Sequence, residues 1–198
     1  MPLLVPSAGA PAPVTLALYE ESYLMYFYPY ESIEIPRTSG LVARDKESLN
    51  TFWSEVEEIE EGLSTAIGIY IFSIRAGMGS LPWYVGKAEK RGFRKECFAH
   101  HKLTHYNESL SGRKGTPLLT LLPKLTPGHA FVQPNGNPHG DISALEKMLI
   151  GTCIQKNSDL ANISDTKLRR EMVVPGYINS PKGRARSSVK EFRQLLGV

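Results

Sequence analysis

The sequence predicts an α+β fold: a small central antiparallel sheet of about three strands, flanked by helices and carrying an N-terminal extension of strands and a helix. Three observations carry this. The first is two β-branched and aromatic runs, IGIYIFSI from Ile67 and PWYVGK from Pro82, joined by the turn-forming AGMGS. The second is apolar spacing of three and four residues over 48–63 and again over 142–155, the signature of one-sided helices. The third is size: 198 residues, 41% apolar and 22% charged, allow one core-burying domain with decorated ends.

The same composition excludes several classes. The apolar content is too high for a wholly disordered chain. No run approaches the eighteen apolar residues a membrane-spanning helix needs. Residues 1–14 hold four prolines and no basic stretch, which predicts a flexible tail rather than a secretory signal. Two cysteines, Cys97 and Cys153, are too few for a disulfide framework and lead us to expect a cytoplasmic protein. The net charge of +3 conceals a division. Residues 1–65 carry 11 acidic and 3 basic side chains, whereas 66–198 carry 9 acidic and 20 basic ones. A basic half of that strength suggests a polyanionic partner, against the plainer reading of solvated charged faces.

In chain order, 15–45 is aromatic-rich with an alternation suited to one or two strands. Ser48 opens a helix over 48–63, with Leu49, Phe52, Val56, Ile59 and Leu63 on one stripe and five glutamates between Glu55 and Glu61. The hairpin of two strands follows from Ile67. Residues 91–106 suit a single helix, and 107–117 a mobile basic loop. A short helix is expected around Leu118–Leu125, then a third strand over His129–Gln133. Residues 142–155 form the next helix. A basic extension over 166–198 ends in a further helical segment. Domain organisation is thus a tail (1–14), an acidic extension (15–65), a central domain (66–165) and the basic extension.

Gly68-Ile69-Tyr70 on one strand and Tyr84-Val85-Gly86 on the next, with 13 residues between them, resemble the signature of the GIY-YIG nucleases. Arg94 follows Gly86 by eight residues, where that family carries a catalytic arginine at the start of a helix. Glu146, in ALEKMLIG, matches the family's metal-binding glutamate, and Asn162, in LANIS, its supporting asparagine. In some relatives a histidine stands one turn after the arginine; here that position is Phe98. The resemblance covers about 66–165. It implies a DNA endonuclease with Tyr70, Tyr84, Arg94, Glu146 and Asn162 as catalytic candidates and a single Mg²⁺ (or Mn²⁺) on Glu146; His101 joins the candidates on helix geometry, not on the resemblance.

The residues bear on these roles independently. A phenol titrates near pH ~10 in water, so Tyr70 needs nearby cations such as Lys87 or Arg94 to serve as a base. Its plainer reading is a core tyrosine. On one continuous helix, Arg94, His101 and His105 would share a wedge of about 40° at the edge of an apolar face. There Arg94 would clamp a phosphate and His101 pass a proton. His101 and His105, four apart, are also spaced like zinc ligands, but no second pair accompanies them. Glu146 has a local alternative, because Ser143-Ala144-Leu145-Glu146 spells a capping box. As a metal ligand it would hold one Mg²⁺ together with waters and phosphate oxygens. Asn162 could equally be a turn former.

The expected reaction is hydrolysis of a DNA phosphodiester, double-stranded or branched. Tyr70 with His101 would activate water, Tyr84 orient it, and Arg94 stabilise the pentavalent phosphate. Lys87, Lys90, Arg91, Arg113, Lys114, Lys182, Arg184 and Arg186 would contact phosphates and make binding salt-dependent. The alternative is a non-catalytic nucleic-acid-binding module whose acidic helix docks a protein partner. A homodimer through the same segment, or a segment that folds back to mask the basic groove, is also compatible with the charge pattern.

Overall fold

A computed structural model describes residues 24–162 and 166–197. Its centre is an antiparallel hairpin, β5 (Gly68–Ala76) and β6 (Gly79–Ala88), with β7 (Thr116–Leu125) on the other side of β5. Two-residue strands β1 (Tyr26–Phe27) and β2 (Ile33–Glu34) both pair with the free side of β7, which completes five strands. A separate ribbon joins β3 (Arg37–Thr38) to β4 (Leu41–Val42).

Strand β5 is buried on both faces, which is why its sequence is apolar almost without interruption. Tyr70, Phe72 and Ile74 point to one side, against helices α1 (Lys46–Ile59) and α3 (His100–Leu110). Ile67, Ile69 and Val85 lie on the other side, with Ile142, Ile150 and Cys153 of α4 (Gly140–Lys156). Helix α2 (Phe93–Glu96) precedes α3, and α5 (Thr166–Glu171) and α6 (Ser187–Leu196) follow α4. Both cysteines are buried and free. Among the described residues, no helix is long and apolar enough to cross a membrane.

The outer edge of β6 would be a row of unpaired backbone groups. The segment after α4 covers it. Asn157 Nδ2 donates to the Pro82 carbonyl at 2.7 Å and Ala161 N to the Trp83 carbonyl at 2.7 Å. Asn162 closes the row, accepting from Val85 N at 2.9 Å and donating to Val85 O at 2.7 Å.

Several expectations are corrected. Among the described residues the sheet has five strands rather than about three. Residues 118–125, expected as a helix, belong to β7, and 129–133 is no strand: it contributes a single bridge, Leu125 to Phe131. Leucine favours helices in isolation, but pairing on both sides of β7 overrides that weak preference. Pro117 and Pro123 take part in the ladder only through carbonyls, which accept from Ile35 N and Tyr28 N at 2.9 and 3.3 Å. The acidic helix starts at Lys46, not Ser48, because Asp45 is its cap and accepts from Ser48 N at 2.8 Å. It ends at Ile59, and Leu63 falls in a short 3₁₀ turn, Leu63–Thr65. The expected helix over 91–106 is two helices, broken at Cys97–Ala99, where Ala99 is extended (ψ 146°). The break lets Phe93 and Cys97 bury completely while Phe98 turns to the rings of Phe52 and Trp53.

The acidic extension is not a detachable module. Ile33, Ile35, Val42, Phe52, Trp53 and Val56 share one core with Tyr70 and Phe72. Residues 15–23 of the expected strand region, and the 1–14 tail, lie outside the described residues.

One contact sets the hairpin. Tyr70 is the cross-strand partner of Gly86, and its phenol ring lies directly over that glycine, where any Cβ would overlap it. Gly86→Ala should therefore lower unfolding stability in urea by about 1–3 kcal/mol, the usual cost of overpacking. In a Tyr70→Ala background the same substitution should cost clearly less. An equal cost in both backgrounds would show that the ring is not what excludes the methyl group.

Candidate functional site

Strand alternation divides the candidate residues of β6 between the two faces of the sheet. Tyr84 and Gly86 look toward α3, and Val85 and Lys87 toward α4.

On the α3 side, the Tyr84 hydroxyl accepts a hydrogen bond from Lys102 Nζ at 2.5 Å, and the same ammonium stands 4.8 Å from the ring centre. His105 stacks on Tyr84 with centroids 5.6 Å apart and planes 12° apart. Because an ammonium only donates, the Tyr84 hydroxyl keeps its own proton free for a water or phosphate oxygen. Behind it, Tyr70 is completely buried, its ring 6.3 Å from that of Tyr84. Burial first, then the neighbouring Tyr106 and Cys97, pushes the Tyr70 hydroxyl well above the ordinary phenol range. Tyr106, stacked on Phe72 at 4.2 Å, is raised in the same way. The two hydroxyls are close enough to influence each other's ionisation, yet neither makes a well-formed hydrogen bond among the described residues.

His101 is exposed at the start of α3. Partial burial and the adjacent Lys102 hold its imidazole below the usual 6.5, so it is neutral at pH 7 and able to accept a proton. Arg94 does not share its helix. The guanidinium of Arg94 instead donates to Asn50 Oδ1 of α1 at 3.0 Å. The wedge expected from one continuous helix is therefore not formed.

On the α4 side, Lys87 Nζ meets Ser143 Oγ at 2.6 Å, Glu89 at 3.3 Å and Glu146 at 3.8 Å. Ser143 already lies inside α4, whose cap is His139, so Ser143 and Glu146 form no capping box. Glu89 takes the helix end instead, accepting from His139 N at 2.5 Å, where the helix dipole favours a carboxylate. Lys124 continues the array, 2.6 Å from Asp141. Burial raises the Glu89 and Asp141 carboxyls, but hydrogen bonds from backbone N–H groups and lysines outweigh it and leave both below their usual values.

Could these groups hold a divalent cation? Among the described residues no three His, Cys, Asp or Glu side chains form a metal cage. Glu89 and Glu146 nevertheless both reach one ammonium, and two carboxylates with a hydroxyl are a hard-oxygen donor set suited to hydrated Mg²⁺. The residues present fit the ion in kind.

Asn162 touches only the Val85 backbone among its recorded side-chain partners, holding the edge of β6 behind the site. Of the cations expected to meet phosphate, Arg91 is paired with Glu96 at 2.8 Å and Arg113 lies over the Trp83 ring. Lys90, Lys114, Lys182, Arg184 and Arg186 are exposed. Lys102, Tyr106 and Glu89 were not singled out from the sequence. For Lys102 a signal existed, since it stands three residues before His105 on one helix face.

Comparisons with protein-family models, curated proteins and solved structures give no match.

The lowered Glu89 carboxyl has a consequence for stability. A group depressed on folding stabilises the native state above its unfolded value, near 4.5, and loses that contribution as pH falls through the folded value. Lys87→Met removes part of this. Its stability deficit against wild type in urea should be largest near pH 7 and shrink as pH falls below 4.5. A deficit constant from pH 7 to pH 3 would mean that Lys87 contributes packing and not charge.

Proposed function

We propose that the chain is a metal-dependent endonuclease that hydrolyses phosphodiester bonds in DNA. The observation that carries this reading is the register of the hairpin. It sets Tyr70 across Gly86 and presents the Tyr84 hydroxyl beneath Lys102, within a strand pair that resembles the GIY-YIG signature.

In this reading Tyr84, 8% exposed, is the phenol that meets the substrate, donating its free proton to a phosphate oxygen. Tyr70 is a positioning residue, since its buried ring packs behind that of Tyr84. Neutral His101 takes the proton of the attacking water, and Lys102 adds positive charge where the pentavalent phosphate becomes more anionic. Arg94, exposed at the start of α2, swings from Asn50 to clamp a non-bridging oxygen with its planar fork. Glu146 and Glu89 would hold Mg²⁺ (or Mn²⁺), with Lys87 as the resident counter-ion it displaces. The bound ion supplies Lewis-acid stabilisation of the leaving oxygen. Because Tyr84 and Glu146 face opposite sides of β6, their joint use requires DNA to straddle the end of that strand. Lys90, Lys114, Lys182, Arg184 and Arg186 supply the salt-dependent hold on the backbone.

A second reading, a non-catalytic nucleic-acid-binding module, is favoured by two observations. Lys87 already neutralises the two carboxylates, and Tyr70 is closed to solvent. Its protein partner would dock on the acidic outer face of α1. Plasmid nicking with Mg²⁺ against chelator separates the two readings.

Glu146→Gln should abolish Mg²⁺-dependent nicking and leave DNA affinity within about twofold, since phosphate-facing cations carry the binding. Nicking at the wild-type rate would remove Glu146 from the reaction. Arg94→Ala should slow cleavage at saturating DNA by about a hundredfold, the loss typical of one transition-state donor. With His101 as base, the rate should rise with pH through a midpoint below 6.5 and then level off. That limb should disappear in His101→Ala; an unchanged limb would assign it to another group.

A further inference from the structure

Beside the Tyr84 and His105 stack lies an open pocket of about 370 Å³. Trp83 forms its floor, His105 one wall, and Arg113 lies across the indole with its guanidinium carbon 4.3 Å from the ring centre. Arg113 Nη1 also donates to the Ser109 carbonyl at 2.9 Å, so the group is fixed at two points, by the ring beneath it and by the end of α3. Trp83 is itself buried, which makes the indole a rigid base and not a loose surface ring. A guanidinium held over one ring and exposed to solvent on its other side offers that side as a stacking surface for a planar heterocycle.

The remaining walls decide what that heterocycle belongs to. Glu108 and Asp159 line the same pocket, so its two acids outnumber its one permanent cation, Arg113. A phosphate would meet two carboxylates there and gain little. A nucleobase would stack on Arg113 and donate its exocyclic amino protons to those same carboxylates. Duplex bases are stacked on one another and show only their edges, so a base enters at least cost from an unpaired strand, where no pair has to be broken.

We infer that the Trp83–Arg113 platform binds one unpaired nucleobase next to the scissile phosphate, which makes single-stranded or branched DNA, not continuous duplex, the preferred substrate. This rests on the nuclease reading for its meaning, but its test does not depend on cleavage. Arg113 thereby changes role, from one of several phosphate contacts to a residue that reads whether the strand is open.

The test compares Arg113→Lys, which keeps the charge and loses the plane, with wild type. Affinity is measured by fluorescence anisotropy for a labelled single-stranded oligonucleotide, a 5′-flap and a blunt duplex at one fixed salt concentration. Arg113 is exposed, so the variant should fold, and circular dichroism checks that it does. The expected result is about a tenfold loss of affinity for the single strand and the flap, the size of one base stack, with duplex affinity unchanged. Equal losses on all three substrates would make Arg113 a phosphate contact and overturn the inference. No loss on any of them would overturn it as well. Either outcome leaves the nuclease reading intact provided wild type still nicks DNA with Mg²⁺. If wild type neither binds nor nicks any of the substrates, that reading and this one fall together.

Discussion

The phenol of Tyr70 lies over the bare Cα of Gly86, and most of the molecule's arrangement depends on that contact. A strand pair carries its side chains with period two, so slipping the register by one residue would exchange its faces. Here a slip would set a side chain other than hydrogen beneath the Tyr70 ring, and overlap forbids it. With the register pinned, Tyr84 must look toward α3 and Lys87 toward α4. The lysine and histidine at Tyr84, and the two carboxylates at Lys87, are consequences of this one close approach.

The arrangement has a cost. A buried hydroxyl without a good partner loses about 1–3 kcal/mol of hydration. Tyr70 and Tyr106 stand side by side in this position, without a well-formed partner among the described residues but close enough to affect each other's ionisation. Phe72, stacked on Tyr106, completes the cluster behind Tyr84.

How much of this could be read from the sequence follows from the range of the interactions. The hairpin was legible because its signals are local: β-branched runs, a Gly-rich turn and the paired tyrosines. Helix α4 was legible for the same reason. Strand β7 was not, since TPLLTLLPKL is leucine-rich and becomes a strand only when β5 and two distant N-terminal pieces pair with it. Even so, Pro123 inside the expected helix was a contrary signal, because proline in a helix interior costs a hydrogen bond and a clash. The break at Cys97–Ala99 had no such signal, as neither glycine nor proline marks it, and it is set by where Phe93 and Phe98 bury. Its effect on the candidate site is large: Arg94 goes to Asn50, while His101 and His105 remain together on α3.

The charge division acquires a structural meaning from the same pairing. The described part of the acidic half joins the sheet through β1 and β2 and packs on it through α1, so this segment cannot be removed without removing part of the core. Three of its glutamates are also engaged within the fold. Glu34 pairs with Arg75, Glu60 accepts from Tyr30, and Glu57 accepts from Gly62 N and Ser64 N at the turn into β5. Glu57 also feels the charge of Arg94 without bonding it, so the one contact that the acidic helix makes with this guanidinium among the described residues is the Asn50 amide. In the proposed reaction a phosphate would replace that amide. An exposed arginine tethered this weakly, at about 0–1 kcal/mol per surface contact, can exchange its partner readily. The described part of the acidic extension is therefore a scaffold that shares the core of the basic domain and holds Arg94 through Asn50.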